Sequence, residues 1–89
     1  MTYKILTIKK FEKDFEKLDK STQKIIKHWI DRNLVGTENP RYHGKSLSEN
    51  LSSLWKYHIG DYRLLCEIKD NELLLVMITI GHTSDIYEG

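Results

Sequence analysis

The pair Gly60-Asp61 stands between two runs rich in aromatic and branched residues, Trp55-Lys56-Tyr57-His58-Ile59 and Tyr62-Arg63-Leu64-Leu65-Cys66-Glu67-Ile68. A glycine-first two-residue turn in that setting specifies a β-hairpin, because glycine takes up the positive φ of such a turn without steric cost. The turn also sets the register. With Ile59 opposite Tyr62, His58 falls opposite Arg63, Tyr57 opposite Leu64, and Lys56 opposite Leu65 with Arg63 on its diagonal. Side chains alternate between faces, so Trp55, Tyr57, Ile59, Tyr62, Leu64, Cys66 and Ile68 share an apolar face, while Lys56, His58 and Arg63 share the other. Directly opposed residues lie roughly 5 Å apart at Cβ, and like charges at that distance cost stability. A purely structural hairpin avoids such crowding, whereas an anion-binding surface requires it.

The remaining chain has to supply a core for this hairpin. Its 89 residues suffice for a single domain, 1–89, with one hydrophobic core. Residues 2 to 8 form a short β-rich run, expected as a first strand. From about Lys10 to Leu18, Phe11, Phe15 and Leu18 recur at helical spacing among Lys and Glu, which predicts a short amphipathic helix. A second helix follows, capped by Asp19 or Ser21, with Ile25, Ile26, Trp29, Ile30 and Leu34 as its apolar stripe and Gly36 at its C-terminal end. Asp70-Asn71 marks a second tight turn, and Leu73 to Ile80 is apolar at nearly every position, as expected of a strand interior to the sheet. The expected fold is α+β: a small, mostly antiparallel sheet of about four strands, in the chain order β-α-α-β-β-β, with a helical hairpin packed on its Trp55 face.

That arrangement leaves Leu65, Leu74, Val76 and Ile78 on the face that carries Lys56 and Arg63, to be covered by the tail or by a partner. Between the second helix and the hairpin runs a long connection containing Pro40 and Gly44, in which Arg41, His43 and Lys45 alternate as candidate phosphate contacts. Net charge is only +1, from 14 Lys and Arg against 13 Asp and Glu, so any nucleic-acid binding must come from uneven charge distribution. The lone Cys66 can form no intramolecular disulfide and belongs to the apolar face. The N-terminal apolar run is too short for a signal peptide, and no stretch approaches the roughly 20 apolar residues of a membrane span; a cytoplasmic protein is expected.

The motifs of nucleotide hydrolysis, hydride transfer and zinc proteolysis are missing. Four histidines, at 28, 43, 58 and 82, are scattered, and the lysines and arginines near them would repel a cation, so neither a metal nor another cofactor is expected. These residues suit phosphodiester cleavage without a metal. Attack by an RNA 2′-hydroxyl on the neighbouring phosphate needs a base, cations for the phosphoryl oxygens and an acid for the leaving oxygen. Histidine serves as base or acid near neutral pH, Arg63 offers a fixed fork for phosphate and Lys56 a point charge. Tyr87 can stack on a base or donate a hydrogen bond.

The segments Pro40-Arg-Tyr-His-Gly-Lys-Ser-Leu47, Leu54-Trp-Lys-Tyr-His-Ile-Gly-Asp-Tyr-Arg-Leu-Leu65 and Gly81-His-Thr-Ser-Asp-Ile-Tyr87 resemble the RelE/ParE superfamily of toxins from type II toxin-antitoxin systems, most closely its RelE branch. The resemblance spans nearly the whole chain. It implies an endoribonuclease (mRNA interferase) that cleaves messenger RNA in the ribosomal A site, inhibits translation, and is neutralised by a cognate antitoxin in a hetero-oligomer. Residue by residue, Lys56 matches a catalytic lysine, Arg63 the phosphate-stabilising arginine and Tyr87 the tail tyrosine. His58 replaces a second lysine of well-studied members, and Thr83 replaces an arginine of many, which passes the leaving-group acid to His82. Leu65, Leu74, Val76 and Ile78 become the antitoxin site. The alternative within the superfamily is a ParE-like inhibitor of DNA gyrase without nuclease activity.

Overall fold

A computed structural model describes residues 1–47 and 53–83. Among the described residues five strands and two helices follow one another as β1 (Lys4–Thr7), α1 (Lys9–Glu16), α2 (Lys20–Asn33), β2 (Lys45–Ser46), β3 (Leu54–Ile59), β4 (Tyr62–Lys69) and β5 (Leu74–His82). They build one sheet in the spatial order β1-β5-β4-β3-β2, parallel only between β1 and β5. The fold is the expected α+β arrangement with one strand more than expected. Lys45–Ser46, read from sequence as loop, pairs with the edge of β3. Two residues are too few to show a strand period, so only the pairing reveals it.

The helical hairpin forms for local reasons. Asp19 caps α2 by accepting the Thr22 amide at 3.2 Å, and Ser21, the other expected cap, donates instead to Asp19. Gln23 Nε2 donates to the Phe15 and Leu18 carbonyls, both at 3.0 Å, and so ties α2 to the end of α1. Gly36, at φ +77°, ends α2 in the left-handed conformation expected of it. The apolar stripe of α2 is narrower than expected. Ile26 is fully buried and Trp29 and Ile30 pack on the core, but Ile25 is 62% exposed. Adjacent helical residues are about 100° apart, so a stripe centred on Ile26, Trp29 and Ile30 turns Ile25 away from the sheet.

Phe11, Ile26 and Leu34 meet Tyr57, Ile59, Leu64, Cys66, Ile68, Leu75, Met77 and Ile80 of the sheet in one buried cluster. The helices therefore cover the Trp55 face, as the alternation of the hairpin requires. Cys66 is fully buried, and burial pushes its thiol pKa far above the ordinary value. No helix is long and apolar enough to cross a membrane among the described residues.

Two features of β5 depart from simple alternation. The β4–β5 connection is a 3-10 turn over Asp70–Glu72, followed by Leu73 at φ +54°, in place of a tight two-residue turn. Within the ladder, Leu65 pairs with Thr79 while Cys66 pairs with Met77, which leaves Ile78 as an extra residue. This bulge shifts the phase of β5 by one residue. Leu75 and Met77 before it and Ile80 after it all reach the core.

Candidate functional site

The open face of the sheet is built from the register of four strands. Gly60 at φ +60° closes the hairpin, and β3 and β4 pair as expected: Ile59 with Tyr62, His58 with Arg63, Tyr57 with Leu64, Lys56 with Leu65. On the outer side β2 sets Lys45 opposite Lys56. On the inner side Gly81 of β5 lies opposite Arg63 and adds no side chain over it. Lys45, Lys56, His58 and Arg63 thus project from three adjacent strands onto one end of one face. His58 is exposed, Lys56 partly buried, and Arg63 only 9% exposed.

The electrostatics follow from this crowding. Partial desolvation and the charges of Arg63 and Lys45 hold the Lys56 pKa below the ordinary lysine value. Desolvation, then Arg63, Lys56 and Lys45, hold His58 below 6.5. Removal from water is the larger cause, ahead of the neighbouring cations. A histidine so placed is neutral at physiological pH and accepts a proton, while a lysine with a lowered pKa gives one up more readily than an exposed lysine.

Beyond the cationic end the same face turns apolar. Leu65, Leu74, Val76 and Ile78 are partly buried there, with Glu67 between Leu54 and Val76 in the ladder. Leu6 of β1, opposite Val76 and 46% exposed, extends this patch. Sequence reasoning missed Leu6, although its alternation with Ile5 carried the signal.

Three expected site residues do not join the cluster. His82 pairs with Tyr62, in edge contact with its ring at 5.5 Å between centroids, and both line a cleft of about 470 Å³ with Lys10 and Asp14 of α1 and Lys17 just beyond it. That is the helix side of the sheet. A plain two-residue period from Leu74 and Val76 would put His82 beside Arg63; the extra residue Ile78 reverses it. Arg41 and His43 also lie on the helix side. Arg41 grips Asp70 through its two terminal guanidinium nitrogens, Nη1 and Nη2, at 2.9 and 3.0 Å, and sits 5.6 Å from the Trp55 ring centre. His43 makes edge contacts with Trp29 and Tyr42. Of the alternating trio only Lys45 reaches the open face. Tyr87 lies outside the described residues, as does the rest of the segment 84–89.

Among the described residues no three His, Cys, Asp or Glu side chains gather in a metal-binding group. The arrangement instead presents two lysines, an arginine and a neutral imidazole to an anion, with a base at hand.

Comparison with known proteins places the chain. No curated protein matches the sequence. Among solved structures, the toxin-antitoxin complex RelBE2 from Mycobacterium tuberculosis superposes with a TM-score of 0.79 at 24% identity, covering 96% of this chain and 95% of that one. The isolated RelE toxin of E. coli gives 0.73 at 20% identity, covering 91% and 84%. The archaeal RelE-RelB complex from Pyrococcus horikoshii OT3 gives 0.68 at 17% identity, covering 97% and 100%. At these identities the likeness is one of fold. The profile of the family described as ParE toxin of type II toxin-antitoxin system, parDE, matches residues 5–87, nearly the full length. The chain belongs to that family and is a toxin of the RelE/ParE superfamily.

Proposed function

We propose that the chain is an mRNA interferase of the RelE kind, which cuts RNA by attack of a 2′-hydroxyl on the adjacent phosphate. The observation that carries this reading is the convergence of Lys45, Lys56, His58 and Arg63 on one rigid face. Neutral His58 takes the proton of the 2′-hydroxyl. Arg63, held by burial in one orientation, and Lys45 balance the charge that gathers on the phosphoryl oxygens. Lys56, with its lowered pKa, returns a proton to the leaving 5′-oxygen. The products are a 2′,3′-cyclic phosphate and a 5′-hydroxyl, and the protons balance between His58 and Lys56. Tyr87, which the resemblance matches to the tail tyrosine, serves as a stacking partner for the base. His82 was the expected acid on the strength of the resemblance; its place across the sheet favours Lys56 in that role.

By the same reading the substrate is messenger RNA in the ribosomal A site, and the working partner is a cognate antitoxin. The structural neighbours include toxin-antitoxin complexes. The antitoxin site is Leu65, Leu74, Val76 and Ile78, together with Leu6, since an apolar patch on an uncovered sheet face calls for a partner. The profile match to the ParE family favours a second reading, inhibition of DNA gyrase without nuclease activity. Pulse-labelling after induction separates the two. Early collapse of protein synthesis with truncated messages supports the interferase; early collapse of DNA synthesis with intact messages supports gyrase.

A further inference from the structure

The segment 40–44 is fastened to the helix side of the sheet at several points. Arg41 Nη1 and Nη2 donate to the two Asp70 carboxylate oxygens at 2.9 and 3.0 Å, and Asp70 also accepts the Tyr3 hydroxyl at 2.7 Å. The guanidinium lies against the Trp55 ring, Trp55 Nε1 donates to the His43 carbonyl at 2.6 Å, and the Tyr57 hydroxyl donates to the Pro40 carbonyl. Gly44, at φ +80°, lies so close to β3 that a Cβ there would stand 2.2 Å from the Lys56 carbonyl oxygen. The next residue is Lys45, which crosses to the open face and pairs with Lys56.

β2 is only two residues long, and a strand so short has little hold on its own register. A backbone bond follows it, from the Leu47 amide to the Leu54 carbonyl at 3.0 Å. Other restraints precede it, among them a charged fork closed on a residue 29 positions away.

We propose that Arg41, clamped between Asp70 and Trp55, is a positioning residue: a latch on the helix side of the sheet that holds Lys45 beside Lys56 and His58 on the opposite side. The consequence for catalysis rests on the RNA-cleaving reading; the geometric link does not. The groups that act on His58 are Arg63 on β4, Lys56 on β3 and Lys45 on β2, and Arg41 is not among them. An electrostatic effect of the latch on His58 must therefore pass through Lys45, whereas a change in the hydration of His58, the larger cause of its shift, would add a further rise in the double variant.

The test is the titration of His58 followed by NMR on the full chain. Lys45→Met removes a cation that disfavours the imidazolium, so the His58 pKa rises. Asp70→Asn opens the latch, and the His58 pKa rises in the same direction. Losing the Asp70 carboxylate would by itself lower a histidine pKa, so the rise has the opposite sign from any direct effect of that charge. Lys45→Met with Asp70→Asn gives no more than Lys45→Met alone. Arg41→Lys keeps the charge but loses the planar fork, and reproduces the Asp70→Asn rise should the latter variant fail to fold. If the latch variants leave His58 unchanged or lower it, or if Lys45→Met does not move it, the latch is overturned. Single-turnover cleavage of RNA on the same samples reads the other question. A wild-type protein that cuts no RNA removes the cleaving reading, while the titration still decides the latch.

Discussion

His58 and Arg63 face each other directly across β3 and β4, one residue pair from the hairpin turn. Strand pairing sets a titratable imidazole against a guanidinium that is only 9% exposed.

For His58 the sign of the resulting pH dependence is fixed. Its folded-state pKa lies below 6.5, so the neutral, proton-accepting form prevails at pH 7 and is lost as the pH falls through the lowered value. Cleavage by the wild-type protein is expected to rise with pH along an acidic limb below 6.5. His58→Gln is expected to keep RNA binding and lose both the limb and most of the rate. Single-turnover cleavage between about pH 5 and 8 measures both. An unchanged rate and limb in the variant would pass the base to Lys56.

Arg63 carries two loads, and they are separable. Its stem is packed, so Arg63→Ala empties space as well as removing charge. Arg63→Met keeps most of the stem and is expected to melt near the wild type while cleavage falls by about 10²- to 10³-fold. Thermal unfolding read beside cleavage checks this; a large loss of stability with activity retained would assign Arg63 to the core.

Gly44 and Gly36 have nearly the same backbone conformation, at φ +80° and +77°, in different surroundings. Gly36→Ala meets open space and is expected to cost about 1 to 2 kcal/mol, the penalty of a left-handed L-residue alone. Gly44→Ala adds a Cβ 2.2 Å from the Lys56 carbonyl oxygen and 2.8 Å from Trp55 Nε1, and is expected to cost roughly 3 kcal/mol or more. Urea unfolding of the two variants compares them; equal losses would mean that the arm does not lie against β3.

Ile25 and Ile26 are neighbours in sequence and opposites in burial, 62% against 0% exposed. Ile26→Ala is expected to cost about 2 to 5 kcal/mol by opening a cavity under the sheet. Ile25→Gln is expected to change stability by no more than about 0.5 kcal/mol. Chemical unfolding curves distinguish them.

The hairpin was fully legible before any coordinates, because its information is local. Gly60 fixes the turn, the turn fixes the pairing, and alternation then assigns Lys56, His58 and Arg63 to one face and Tyr57, Leu64 and Cys66 to the other. The helices were legible for the same reason: caps and apolar spacing act within a turn or two of their own residues.

What only the tertiary structure decided lies where a residue's side depends on contacts far along the chain. The bulge at Ile78 is an extra residue in a run apolar on both faces, so no two-residue period exposes it; yet it sends His82 to Tyr62 and away from Arg63. Arg41 and His43 alternate with Lys45, but alternation has meaning only within a strand. Asp70, 29 residues away, and the ring of Trp55 hold Arg41 on the helix side, and the backbone crosses to the open face at Gly44. Local periodicity thus determined which residues could share a face, and long-range packing decided which of them do.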